Sequence, residues 1–256
     1  MKQIPNIFTL LNLFFGCIAI VFALQTETIS IFVGEDQSTH YNIPEKLSIA
    51  SYFIFIAAII DFLDGFVARL FNASSEMGKQ LDSLADVVSF GVAPSVILYQ
   101  LLRISFIKEE DGLQTSMAWL WPAFIVACAG AYRLARFNLD NSSSFGFKGV
   151  PIPAVGLLIA SFPLILHFGN NFINVSEWIT NKWFLYVVII VVSWLMVSTL
   201  PLMALKFKNY SVTGNLPKII LLFISLVAAI FLKWLAVPVI FVAYIFLSLL
   251  IKHKKT

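Results

Sequence analysis

The chain has 256 residues, 59% of them hydrophobic and only 12% charged, with a mean hydropathy of +0.89. A soluble domain of this size cannot bury that much apolar surface, so the composition excludes a soluble globular protein and points to a bilayer as solvent. The formal charge of +3 is spread between apolar segments and forms no stripe, which argues against nucleic acid as a partner.

In chain order, apolar runs of about the 20-residue length that crosses a bilayer lie at 7–24, 47–70, 80–102, 116–136, 151–168, 183–205, 217–233 and 234–252. The expected fold is an all-α integral membrane protein, a polytopic bundle of about eight transmembrane helices in one domain over 1–256. The boundary between the last two runs falls near Lys233 and Trp234. The first run continues from Ile7 to Leu24 without a small-residue cleavage site, so it reads as a retained helix. Before it stands Pro5-Asn6-Ile7-Phe8-Thr9, in which Asn6 and Thr9 are either helix caps or ligand contacts. Cys17 and Cys128 stand alone in apolar runs, with no Cys or His at metal-ligand spacing, and read as small packing residues.

The second run ends in Asp61-Phe62-Leu63-Asp64-Gly65-Phe66-Val67-Ala68-Arg69, and the third begins Gly78-Lys79-Gln80-Leu81-Asp82-Ser83-Leu84-Ala85-Asp86. Carboxylates at membrane depth are costly, so they face the bundle interior and need a counter-charge. At about 100° per residue, Asp61 and Asp64 share a helix face with Gly65 and Ala68, and Asp82 and Asp86 lie one turn apart on the next helix. The short connection predicts antiparallel neighbours whose acids form an all-oxygen site for hard divalent cations. Zinc is disfavoured, because no His or Cys accompanies the acids. An ion-pair network with Arg69 is the structural alternative, but one arginine cannot neutralise four carboxylates. For Gly65 and Ala68 the plain alternative is close helix packing.

The fourth run ends in Arg133 and Arg136, and Phe147-Lys148-Gly149-Val150-Pro151-Ile152-Pro153 opens the fifth. Arg133 and Arg136, with Lys148, are candidates to hold a phosphate or a carboxylate by forked hydrogen bonds; interfacial anchoring is the alternative for the arginines. The segment from Gly149 to Pro153 is either a re-entrant bend beside the site or a plain entry into a helix.

Assigning alternate loops to one side gathers Lys2, Arg69, Lys79, Arg133, Arg136, Lys148, Lys206, Lys208, Lys218, Lys252, Lys254 and Lys255, against Lys46, Arg103, Lys108, Lys182 and Lys233 opposite. By the positive-inside rule both termini are expected in the cytoplasm, with the acids on that side. The opposite loops carry Glu27, Glu35, Asp36, Glu45, Glu109, Glu110 and Asp111, read as solvated surface.

Asp61, Asp64, Gly65, Ala68, Arg69, Gly78, Asp82 and Asp86 match every fixed position of the CDP-alcohol phosphotransferase signature, D-x2-D-G-x2-A-R-x8-G-x3-D-x3-D, and Pro5-Asn6-x-x-Thr9 resembles that family's start. The resemblance covers about 1–205; the helices at about 217–252 add to it, and neither they nor the 169–182 loop carry a motif. It implies a homodimeric helical bundle with two divalent cations, Mg²⁺ or Mn²⁺, held by Asp61, Asp64, Asp82 and Asp86. It implies a CDP-lipid site at Asn6, Thr9, Asp61, Gly65, Ala68, Arg69, Gly78 and Asp82, and Asp86 as general base.

Within the family, Arg133-Leu134-Ala135-Arg136-Phe137-Asn138 followed by the Phe147–Pro153 segment is similar to the bacterial, membrane-embedded phosphatidylserine synthases. This implies transfer from CDP-diacylglycerol to L-serine at the cytoplasmic (inner) membrane, with CMP and phosphatidylserine as products. Rival readings are a family member using glycerol 3-phosphate or an inositol phosphate, a cation-coupled transporter, and a prenyl-transferring enzyme. The transporter is disfavoured because the acids cluster in one half of the chain without a second, related half.

Overall fold

The structure, a computed structural model, describes residues 4–25, 31–33, 39–41, 45–70, 75–109, 114–139, 147–169, 175–203 and 212–250. Of the expectations above, those on Lys2, Glu27, Glu35, Asp36, Glu110, Asp111, Lys206, Lys208, Lys252, Lys254 and Lys255 lie outside the described residues.

The first apolar run is α1 (Ile4–Leu24), with Pro5 in its opening turn, where a missing N–H leaves no ladder bond unmade. A short hairpin follows, β1 (Ile31–Val33) antiparallel to β2 (Thr39–Tyr41) with Phe32 opposite His40, and leads into α2 (Glu45–Leu70). α1 lies along α2, and Phe53 stacks on Phe15 and Phe22 between them.

The Ser75 side chain accepts from the Gly78 N–H at 3.0 Å and starts α3 (Glu76–Asp86). Directly after Asp86 the helix widens into a π turn over Val87–Val92 and then continues as α4 (Ala93–Ile107). The cause is local. Pro94 has no N–H, and its ring crowds the carbonyl four residues back, so the ladder shifts register and the Ala93 N–H reaches the Val88 oxygen. The result is one apolar rod, Glu76–Ile107, with Phe90, Ile97, Leu98, Leu101 and Leu102 fully buried. It is the axis of the bundle: α1, α6 (Ile152–Phe168) and α8 (Lys182–Val197) all pack on it.

Two 3₁₀ turns, Met117–Trp119 and Trp121–Phe124, enter α5 (Ile125–Leu139), and α7 (Ser176–Ile179) is a single turn between α6 and α8. β3 (Phe147–Lys148) pairs antiparallel with β4 (Pro201–Leu202), which clamps the chain entering α6 onto the chain leaving α8. Gly149 has φ 77 and sits against the carbonyl oxygens of Leu195, Met196 and Ser198, which a Cβ would approach to 2.5–3.1 Å. The segment Gly149–Pro153 is therefore a strapped entry into α6 and not a re-entrant bend. Pro151, extended, immediately precedes the helix, and the Val150 N–H donates to the Leu195 oxygen at 3.1 Å.

At the end of the chain α9 (Val212–Leu232) and α10 (Ala236–Leu250) fold back on one another about Lys233, whose φ of 50 breaks the helix. Trp234 anchors that turn against Tyr52, Phe55 and Phe168.

A helix lies within each of the eight expected runs, but α8 ends at Val197, short of the expected 205, and Pro201–Leu202 is a strand. Among the described residues, four stretches are long and apolar enough to cross a membrane: Pro5–Leu24, Glu76–Ile107, Met117–Leu139 and Asn215–Leu250. Apolar side chains also cover the outside: Phe14 and Val21 of α1, Phe62 and Phe66 of α2, and Phe223 and Ile230 of α9 are all exposed, as lipid contact allows. The protein is an all-α membrane protein.

Candidate active site

The N-terminal turns of α1 and α3 and the last turns of α2 meet at one end of the bundle. α2 and α3 were expected to be close neighbours, yet α1 packs on both while they scarcely touch. Asp61 and Asp64 of α2 and Asp82 of α3 reach toward one another across the space between the two helices.

Asp61, Asp64 and Asp82 each offer an oxygen within 4.8 Å of the others. Asp64, 8% exposed, is fixed by the Thr9 hydroxyl, which donates to its Oδ2 at 2.9 Å. Thr9 is thereby tied to the acid group, and its hydroxyl also lies 3.2 Å from the Pro5 oxygen. Asp86 lies one turn further along α3, 7% exposed, outside the three-acid group but within the field of all three acids, and its Oδ1 has no hydrogen-bond partner. An all-oxygen set of converging carboxylates with an orphaned buried oxygen beside it fits a hard divalent cation.

Beside the acids is a cavity of about 230 Å³ lined by Pro5, Asn6, Thr9, Asp64, Gly65, Ala68, Ser75, Gly78, Lys79 and Asp82. Six of the eight residues expected to contact a CDP-lipid line it: Asn6, Thr9, Gly65, Ala68, Gly78 and Asp82. Asp61 lies with the acids at its edge. Arg69 does not line the cavity; it is exposed, one turn beyond Gly65, with Nη1 4.0 Å from where a Gly65 Cβ would stand. At Gly78 a Cβ would lie 3.1 Å from Asn6 Oδ1, so the glycine lets α1 and α3 approach here.

The two candidate arginines part company. Arg136 donates from Nη1 to Val197 O at 2.6 Å and from Nη2 to Ser198 O at 3.0 Å, holding the open carbonyls at the end of α8. Arg133 turns inward, 6% exposed, with the Phe137 ring 6.0 Å from its guanidinium carbon, its charge under the influence of Asp86 and its Nε unpartnered. The Lys148 side chain lies outside what the structure describes; its backbone pairs with Pro201. The end of α5 is tied to α3, because Asn138 Nδ2 donates to Ser83 Oγ at 2.8 Å and Lys79 Nζ to the Asn138 oxygen at 3.4 Å.

Sequence reasoning passed over Asn12. It is fully buried one turn beyond Thr9, its backbone oxygen accepts from Ser89 Oγ at 3.0 Å, and its carboxamide is directed at the Asp86 carboxylate. The available signal was an amide inside an apolar run on the same helical face as Thr9.

Against this geometry, the CDP-alcohol phosphatidyltransferase family model matches residues 2–194. A CDP-diacylglycerol–serine O-phosphatidyltransferase of Helicobacter pylori (strain ATCC 700392 / 26695) is 33% identical over 228 residues, 87% of this chain and 80% of that protein. One of Mycobacterium leprae is 31% identical over 255 residues, 96% of this chain and 73% of its own. One of Bacillus subtilis is 37% identical over 150 residues, 56% of this chain and 78% of its own.

Proposed function

We propose, from the premise that this chain belongs to the CDP-alcohol phosphatidyltransferase family, that it transfers the phosphatidyl group of CDP-diacylglycerol to the hydroxyl of L-serine, forming phosphatidylserine and releasing CMP. The observation that carries the reading is the cavity in which Asn6, Thr9, Gly65, Ala68 and Gly78 stand against the acid group. The relatives that align with most of the chain bear the name of serine transfer, which supports serine as acceptor.

Asp61, Asp64, Asp82 and Asp86 are the residues that would hold divalent cations, two Mg²⁺ or Mn²⁺ by family resemblance. Held there, such cations would supply positive charge for the donor diphosphate and the departing CMP. Gly65, Ala68 and Gly78 leave room for the nucleotide, Asn6 and Thr9 present polar groups to it, and Arg69 stands near the phosphates. Thr9 orients Asp64. Asp86 accepts the proton of the serine hydroxyl; that oxygen bonds to the lipid-bearing phosphorus, and the phosphorus–oxygen bond to CMP breaks. The diacylglycerol tails stay in lipid, so the donor enters between helices and serine and CMP exchange with water.

The same reading places eight spans in a bacterial cytoplasmic membrane, with both termini and the acids on the cytoplasmic side and two copies forming a homodimer. The lysine and arginine distribution supports the orientation. The deciding test is CMP release by purified protein with CDP-diacylglycerol and Mn²⁺ or Mg²⁺. Metal-dependent release with serine alone is expected. Release with glycerol 3-phosphate or an inositol compound instead would replace the acceptor and keep the chemistry, and no release with any alcohol would return the cation-transporter reading.

A further inference from the structure

The family match ends at residue 194, so β4 and the last two helices lie beyond it. β4 stops at Leu202, and the next residue, Met203, is buried, so its backbone N–H and oxygen both need partners. α10 supplies both. The Met203 N–H donates to Ser248 Oγ at 3.2 Å, and the Tyr244 hydroxyl donates to the Met203 oxygen at 3.0 Å. Tyr244 and Ser248 lie one turn apart on α10, and Ser248 Oγ donates to the Tyr244 backbone oxygen at 2.7 Å, which keeps its lone pairs turned to the Met203 N–H.

The clamped residue ends a stretch that is also fixed from elsewhere. β4 pairs with β3, the Gly149 N–H donates to the Leu200 oxygen at 3.1 Å, and Arg136 of α5 holds the Val197 and Ser198 oxygens. α10 packs on β4, so α10 and the end of α5 meet the same stretch of chain. This brings Tyr244 near Arg133, three residues before Arg136, and the two side chains act on one another electrostatically. Arg133 is buried, its Nε has no partner, and it also lies in the field of Asp86. With its hydrogen spent on Met203, the Tyr244 phenolic oxygen is left as an acceptor, the polarity that a guanidinium seeks.

We propose that Tyr244 is a positioning residue: clamped on Met203, its phenolic oxygen steadies the Arg133 guanidinium beside Asp86, so that the C-terminal hairpin of α9 and α10 completes the active site. A phenylalanine at 244 would fill the same space but leave the Met203 oxygen unmet and Arg133 free to turn. Arg136 takes no part in this, because both of its bonds go to the end of α8. The inference rests on the phosphatidyl-transfer reading above and extends the site to residues outside the family match.

The test is a double-mutant cycle on metal-dependent CMP release by the full-length protein, with CDP-diacylglycerol, Mn²⁺ and the alcohol that the wild-type protein turns over. Tyr244→Phe is expected to lower kcat/KM about 10-fold while equilibrium binding of CDP-diacylglycerol with Mn²⁺ stays within about twofold. Arg133→Ala is expected to lower kcat/KM at least as far, and adding Tyr244→Phe to it should cost nothing more, because a residue that acts through Arg133 then has nothing left to hold. A tyrosine with a merely structural role would instead multiply the two losses. Wild-type kcat/KM in Tyr244→Phe, or a double variant slowed by the product of the single losses, overturns the inference. Ser248→Ala unseats the same clamp and is carried through the same cycle, with the same two outcomes, should Tyr244→Phe fail to fold. Because the alcohol is the one the wild-type protein uses, failure of the serine reading leaves the inference to be decided by the same rates, whereas no CMP release with any alcohol overturns both.

Discussion

The two ends of the rod Glu76–Ile107 are built oppositely. At the far end, about 33 Å from Asp86 by helical rise, the polar groups meet one another. Lys182 pairs with Glu109 at 2.5 Å, Lys108 Nζ donates to Thr180 Oγ1 at 2.5 Å, and Asn181 Oδ1 caps α8 through the N–H groups of Trp183 and Phe184. At the acid end, like charges converge and buried donors and acceptors are left unmet. Paired groups are structure; converging like charges call for a counter-charge. A cavity of about 460 Å³ at the far end, twice that beside the acids, makes the point, since volume alone selects the wrong end.

The comparison breaks first at the acids. Asp61→Asn and Asp82→Asn should each lower CMP release by about 10²–10³-fold, the usual cost of removing one group that stabilises developing charge, with the protein still folded in detergent. Near-normal rates in either variant would leave the acid end without its function.

Next comes the packing that holds the unmet groups in place. A Cβ on Gly16 would lie 2.8 Å from the Ser89 Cα and closer still to its side chain, so Gly16→Ala must push α1 off the π turn. It should cost about 1–3 kcal/mol, read as a lower thermal midpoint, and lower CMP release as Asn12 shifts against Asp86. An unchanged midpoint would mean that the helices yield more easily than the close approach implies.

The arginines sharpen the contrast within one end. Arg136→Ala should cost about 1.5–3 kcal/mol of stability through two lost charge-assisted bonds to α8, with little change in serine KM. Arg133→Ala should do the reverse, and equal serine kinetics in the two variants would erase the distinction.

Smallest is the far end. Glu109→Ala removes an exposed ion pair and should cost at most about 1 kcal/mol, lessened further by salt, with CMP release unchanged. A large loss of activity would show that the far end takes part in turnover.

Much of the site was legible because its residues are neighbours along two short segments. Asp61 to Arg69 and Gly78 to Asp86 each lie within a few helical turns, so periodicity alone puts Asp64, Gly65 and Ala68 on one face and separates Asp82 from Asp86 by one turn. Apolar run length likewise located the helices, because the bilayer sets one scale for them all. Less was legible wherever a residue's partner lies far along the chain. Arg133 and Arg136 look alike in sequence, three residues apart; only the packing of α5 against α8 commits Arg136 to the Val197 and Ser198 carbonyls and turns Arg133 inward. The gap between α2 and α3, and the meeting of Asn12 with Asp86, needed α1 in place. By itself the sequence determined a membrane-embedded helical chain with a carboxylate cluster, because hydropathy and helical period are local properties. Only the tertiary structure decided which buried polar groups find partners and which are left for a ligand, because hydrogen-bond satisfaction depends on three-dimensional neighbours.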